Sequence, residues 1–389
     1  MSSNQSSEFE VDKVEVMNDL VNRVLELAIQ IQQIPAPTFS EMKRAEFVRG
    51  LYVEEGLRDI LIDETGNVYG RLAMDHGRSK DAKPLIVSAH LDTVFPLDTD
   101  LHVTRGTELI HGPGLGDNSL GVAGLFSLLW MLREQNVELG GDIWFVANVG
   151  EEGLGDLRGM KAVVERFGAD IQAYLVLEGL ALGHIYHRAV GVKRYRVTAR
   201  TTGGHSWSDY GKPSAIHELA KLVVQLTSLE LPSHPRTTMN VGKISGGTSV
   251  NVIASEATLD LDLRSEGYES LAELISSVEK LIHKANVLKS AGRHDVRLEA
   301  EVIGQRPAGA ISPNHPLVKL AEECLREQGI APILTVGSTD ANIPLSKGYP
   351  AIVLGVSTGG SAHTVHEFIS TEPIAQGMEQ LVRFVSRVW

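Results

Sequence analysis

The chain has 389 residues, 43% of them hydrophobic and 5% aromatic, with 36 Lys and Arg against 49 Asp and Glu, a formal charge of −13. The apolar content excludes wholesale disorder, the length exceeds the roughly 100–200 residues usual for one domain and predicts two, and the acidic balance excludes a general nucleic-acid binder. The single cysteine, Cys324, excludes an intrachain disulfide and a cysteine-built zinc site; no stretch reads as the roughly 18 apolar residues of a membrane span, and the opening MSSNQSSEFE lacks the basic and apolar regions of a secretion signal, so the expectation is a soluble, cytoplasmic protein with no membrane partner.

Residues 11–34 predict a helix, with Val14, Met17, Leu20, Val21, Val24 and Leu27 at helical spacing and Pro35 and Pro37 ending it. A second helix is expected near 40–56. The apolar run 85–89 predicts a buried strand, 119–134 a largely buried helix, 143–149 a strand, 157–167 a helix and 173–177 a strand. Such alternation predicts a mixed sheet covered by helices, an α/β fold. From about residue 190 the order becomes strand 193–201, helix 213–229, strands near 237–244 and 256–264, helix 269–285 with one apolar stripe, and an alternating strand through Val296, Leu298, Ala300 and Val302. That is the ferredoxin-like βαββαβ arrangement. The predicted organisation is therefore a catalytic domain in two parts, 1–189 and 306–389, with a ferredoxin-like module inserted at 190–305. Strand 351–356 and helix 372–388 return to the first domain.

The chemistry-bearing residues sit at strand ends. His90 and Asp92 follow strand 85–89, Asp117 precedes a helix, Glu151 and Glu152 follow strand 143–149, Glu178 follows strand 173–177, and His363 lies in the loop after strand 351–356. Taken singly, an acid or histidine at a strand end is more often a solvated loop residue. In open α/β sheets, however, ligands gather beyond the carboxyl ends of the strands, where chain-distant side chains meet. Imidazole and carboxylate without thiolate suit zinc, with cobalt or manganese as alternatives. The surplus of ligands over one ion's needs predicts a pair of ions bridged by a carboxylate. One further carboxylate must accept a proton from water, and the Glu151–Glu152 pair supplies a ligand and a base side by side.

His90-Leu91-Asp92, the Gly114-Leu115-Gly116-Asp117-Asn118 turn, Gly150-Glu151-Glu152-Gly153, Glu178 and His363-Thr364-Val365-His366-Glu367 occur in an order that resembles one family over nearly the whole chain. This is the family of dinuclear zinc peptidases that includes glutamate carboxypeptidase, aminoacylase, succinyl-diaminopimelate desuccinylase and peptidase T. The resemblance implies a zinc exopeptidase-like catalytic domain with an inserted dimerisation domain, and hence a homodimer. It implies that Asp117 bridges two metal ions, that His90 and Glu178 complete one site and Glu152 and His363 the other, that Glu151 is the general base, and that Asp92 orients His90. It also implies a cis peptide at Asp117-Asn118. In the inserted module, His205 resembles the family's oxyanion-stabilising histidine, which reaches the partner subunit's site, and Asn251 and Arg264 resemble residues that hold a substrate carboxylate.

Plainer roles stand beside these. His205 can cap a loop, and Arg264 shares a strand face with Asp260 and Asp262, where an ion pair is ordinary. His366 stands where the family often has Asn or Asp, and Ser206-Trp207-Ser208-Asp209-Tyr210 is more aromatic and acidic than in many relatives. Gly112-x-Gly114-x-Gly116 lacks a clear preceding strand and a P-loop lysine, so it reads as the turn that places Asp117. Ser119 has no sequence-local activator, Cys324 reads as packing, Asp340 is a pocket or turn residue, and His111, His184 and His187 read as bystanders. The function expected is amide hydrolysis of small peptides or N-acyl amino acids by a metal-activated water. The alternatives are an aminopeptidase or di/tripeptidase of the same fold and a catalytically silent metal- or peptide-binding relative.

Overall fold

The computed structural model describes residues 3–74, 82–290 and 296–389, and side chains from 15 to 74, 82 to 286 and 296 to 389. Within these limits the chain forms two compact units, one from 1–188 and 310–389, the other from 189–309.

The core of the first unit is a mixed sheet. Four parallel strands lie side by side at its centre, in the order Ile143–Asn148, Leu85–His90, Ala173–Glu178 and Ala351–Gly355. Their near-continuous apolar sequences are what a strand buried on both faces requires, and Leu85 to His90 is buried throughout. Antiparallel strands flank them: Val68–Leu72 then Arg58–Ile62 on one side, His184–Ala189 on the other. Because the central four run the same way, they end together. His90 pairs in register with Asn148, and Glu178 with Gly355. The turns carrying Asp92, Glu151, Glu152 and His363 leave from that one edge.

The helix Ser3–Gln32 begins earlier than the apolar spacing suggests, because its polar first turns leave no periodic trace. Val24 and Leu27 are buried, Met17, Leu20 and Val21 half-buried, and the Val14 side chain lies outside the described residues. It packs on the helix Gly121–Glu134, whose residues from Gly121 to Leu132 are all buried. Each fully buried Leu or Phe there stabilises by about 1.5–3 kcal/mol. By length and composition alone the run Leu115–Glu134 is apolar enough to cross a membrane, which corrects the expectation from sequence; almost all of it is buried, and it serves as a core helix of this unit. A four-stranded sheet of short strands, ordered Gly359–Gly360, Phe368–Ser370, Leu109–His111 and Thr104–Arg105, joins the loop around His363 to the turn before Asp117.

The second unit is an antiparallel four-stranded sheet, Thr237–Gly246, Glu256–Ser265, Gly191–Arg200 and Arg297–Arg306 in spatial order, with helices Ala215–Thr227 and Tyr268–Ser290. This is the βαββαβ ferredoxin-like order. Alternation along the two central strands buries Tyr195, Val197, Ala199, Leu259, Leu261 and Leu263 with Leu219, Leu222, Leu274 and Val278 of the helices. The other face carries ion pairs: Arg194 on Asp262 and Arg196 on Asp260 across strands, and Arg264 on Asp262 within one strand.

Candidate metal centre

Asp117 is presented by a glycine-bearing turn. The strand Leu109–His111, which sequence inspection did not resolve, directly precedes it. Gly114 takes φ 72°, and a Cβ there would stand 2.8 Å from the Thr93 side chain, so the turn favours glycine on both counts. A π-helical turn, Leu115–Leu120, follows, interrupted by non-helical backbone at Asp117 and Asn118, and the Asp117–Asn118 peptide is cis. The Asn118 carboxamide is buried, donating to Leu177 O and accepting from Gly179 N, which ties the turn to the end of the Glu178 strand.

From that turn Asp117 reaches two imidazoles with separate oxygens: Oδ1 lies 3.1 Å from His90 Nε2 and Oδ2 lies 3.0 Å from His363 Nε2. Glu178 Oε2 stands 3.8 Å from His90 Nε2, and Glu152 Oε1 stands 3.1 Å from His363 Nε2. Three sets of side chains offer ligand atoms all within 4.8 Å of one another: His90, Asp117 and Glu178; Asp117, Glu152 and His363; and His90, Glu151 and Glu152. Two imidazoles and four carboxylates without sulfur suit zinc, cobalt or manganese.

The electrostatics fit a site that expects positive charge. Burial opposes a charge on His90, yet hydrogen bonds to Asp117 and Asp92 and the charges of Glu178 and Asp117 raise its pKa well above the ordinary value. Asp117 and Glu152 lift His363 to about 10 against its partial burial. Asp117 is held down by the two histidines although burial pushes the other way. Burial drives Glu178 well up, with the negative charges of Asp117, Glu151 and Asp340 adding to the rise and His90 opposing it. The carboxylates outnumber the imidazoles around them.

Asp92 differs in detail from the resemblance. His90 Nδ1 meets the Asp92 main-chain oxygen at 3.0 Å, while the carboxylate Oδ1 stands at 3.6 Å. The carboxylate is engaged elsewhere, accepting from the Glu151 N–H, the Glu152 N–H and the Thr38 hydroxyl, each at 2.9 Å. It therefore sets the glutamate turn as well as the histidine. Glu367, quoted only as part of a motif at the sequence level, is fully buried and accepts from the N–H groups of Gly114, Gly116 and Asp117 at 2.7–3.1 Å. Burial pushes its carboxyl up to about 7, although those N–H groups pull it down. Asp340 is buried too, accepting from Asn148 Nδ2 at 2.7 Å. His366 is exposed, and Cys324 is buried against Arg387.

The other three candidates belong to the second unit. His205 is exposed on the short strand Gly204–His205, which pairs with Val252–Ile253, and Ser206 N donates to Asn251 O, so His205 and Asn251 are neighbours. His205 Nδ1 accepts from the Trp207 and Ser208 N–H groups at 3.2 and 3.4 Å, which leaves the ring proton on Nε2. Asn251 Oδ1 accepts from Ser249 Oγ at 2.7 Å. Arg264 lies on the strand Glu256–Ser265 and donates to Asp262 Oδ2 at 2.6 Å, the plainer of its two readings.

Among known proteins, the chain is 22% identical over 355 residues, 82% of each chain, to the N-formyl-4-amino-5-aminomethyl-2-methylpyrimidine deformylase of Bacillus subtilis. It shares its fold with a tripeptidase from Staphylococcus aureus (TM-score 0.79, 23% identity, 95% of this chain and 98% of the other). It also matches the fold of Bacillus subtilis YxeP, described as a dinuclear metal binding peptidase from the M20 family (TM-score 0.66, 15% identity, 95% and 98%). The model of peptidase family M20/M25/M40 matches residues 86–387, and with the imidazole–carboxylate cluster inside that span, the chain belongs to this family and is a metal-dependent hydrolase.

Proposed function

We propose that the chain hydrolyses the amide bond of small peptides or N-acyl amino acids, using two divalent cations, zinc by preference, held by this cluster. The observation that carries the reading is Asp117, which offers one oxygen toward each histidine. Two of the three ligand sets share only Asp117, and together they use His90, Glu178, Glu152 and His363 once each. These residues would hold the pair of ions with Asp117 between them. Bound there, the cations polarise the scissile carbonyl and lower the pKa of water. Glu151 is the carboxylate left over, within reach of His90 and Glu152, and it takes the water's proton and passes it to the leaving nitrogen. Asp92 accepts from the backbone N–H groups of both Glu151 and Glu152, which fixes the turn that carries base and ligand.

His205, with its proton on Nε2, is a donor suited to the developing oxyanion, and Asn251 and Arg264 are suited to a substrate carboxylate. The resemblance assigns the histidine to a partner's site, and the second unit has the surface for a homodimer. Strand Thr237–Gly246 is a sheet edge with Ile244 54% exposed, and helix Ala215–Thr227 exposes Ile216 and Val224. A long open edge beside apolar side chains is what a second copy covers.

The deformylase relative favours acyl removal and the tripeptidase fold-neighbour favours free peptides. An N-acyl amino acid and a free tripeptide, each assayed with added zinc, separate the two. The base assignment is tested by Glu151→Ala. We expect metal content by mass spectrometry unchanged and kcat lowered roughly 10²–10⁴-fold; unaltered turnover removes Glu151 from the role.

A further inference from the structure

We infer that a cavity in the first unit, with Glu152 in its wall, is the subsite for an uncharged apolar acyl group. The inference rests on the proposed amide hydrolysis and names the substrate class for it. The cavity is about 310 Å³, lined chiefly by Pro37, Thr38, Thr93, Val94 and Pro96 together with Glu152. Ligand sites run from roughly 300 to 1,000 Å³, so this one accepts a single side chain or short acyl chain rather than an extended peptide.

Its walls are fixed by bonds already made. Thr93 N donates to Ala36 O at 2.9 Å, Pro37 and Thr93 form a parallel bridge, and the Thr38 hydroxyl is spent on Asp92. Three apolar residues of the lining or beside it in sequence stay in water: Phe39 is 63% exposed, Leu154 53% and Val94 38%. Apolar surface gathered around a concavity marks a ligand site. Among the described residues, no Lys, Arg or His lines the cavity. Arg158, which lies over the Phe39 ring, donates from its two terminal nitrogens to the Thr65 carbonyl and to Glu41. An acidic acyl group would thus bring a second negative charge against the Glu152 carboxylate in this wall, whereas an aliphatic or aromatic one removes apolar wall from water. Glu152 belongs both to this wall and to the proposed ion site, so the occupant lies next to the scissile carbonyl.

The test compares N-acetyl-, N-hexanoyl- and N-succinyl-L-alanine on the zinc-loaded chain, wild type and Val94→Asp. The expected result is kcat/KM at least tenfold higher for hexanoyl than for acetyl, with succinyl lowest, and Val94→Asp lowering the hexanoyl value at least tenfold more than the acetyl value. Hydrolysis indifferent to the acyl chain, or a variant that lowers all three alike, overturns the subsite and leaves the hydrolase reading standing. If wild type cleaves none of them, calorimetric titration with the same compounds decides. Tighter hexanoyl binding that Val94→Asp abolishes keeps the subsite and removes N-acyl amino acids as the proposed substrates, and equal or absent binding overturns the subsite. Val94→Ala, which conserves the apolar wall, is expected to stay close to wild type in the acyl preference.

Discussion

Two regions of this molecule are dense in charge, and they are built on opposite plans. At the strand ends of the first unit, His90, Asp92, Asp117, Glu151, Glu152 and Glu178 are buried or nearly so, and the carboxylates outnumber the cations. On the open sheet face of the second unit, charges alternate across strands and find partners: Arg196 with Asp260, Arg194 and Arg264 with Asp262, Arg200 with Glu256 and Glu299. Charge that is matched and wet contributes little, roughly 0–1 kcal/mol per pair. Charge that is unmatched and dry is expensive, and a fold keeps it where something positive is meant to arrive. The sign imbalance under burial, more than the number of charged residues, separates a reaction centre from a polar surface.

That contrast can be broken at its strongest point by Asp117→Asn, which removes the shared carboxylate. Metal bound per chain is expected to fall below two, and activity to fall by more than the roughly 100-fold that loss of an outer hydrogen-bond partner costs; metal analysis beside a kinetic assay reads both. Glu367→Gln is a finer cut. An amide there turns one acceptor into a donor facing the N–H groups of the Asp117 turn, and metal affinity should drop roughly 10–100-fold in a competition titration with a chelating dye. Asp262→Asn probes the matched region and should cost roughly 1 kcal/mol or less in denaturant unfolding. Burial would raise the Asp262 carboxyl, but Arg264 and Arg194 hold it below its ordinary value. Its contribution is therefore complete above about pH 4 and is lost as the pH falls through the lower folded-state value. The Asn variant should show a shallower acid-side loss of stability.

Much of the architecture is legible in the chain itself. The four central strands announce themselves as unbroken apolar runs because both their faces are covered, and the inserted module shows its strict alternation and apolar helix stripes. Arg58–Ile62, Val68–Leu72 and Ile333–Gly337 do not, since these short strands mix polar or charged, glycine and apolar residues without a clean period. The ligand-bearing positions are readable because strand ends converge. Glu367 as the brace of the Asp117 turn is not, because its partners are main-chain N–H groups some 250 residues earlier, and backbone donors leave no signature in the side-chain alphabet. The main-chain contact of Asp92 to His90 is hidden for the same reason.

The placement of strand Ala351–Gly355 has a consequence for how the protein is made. It lies in the middle of the large sheet, between Ala173–Glu178 and His184–Ala189, yet the ribosome delivers it after the whole inserted module. Domains fold as units during synthesis, the earlier before the later. The module can therefore reach its native form while the sheet of the first unit still has a gap, and the pair of histidines meets only when translation has passed residue 363. A chain ending near residue 350 and held on the ribosome should carry a folded insertion and an open sheet in the first unit that lacks the ligand set needing His363.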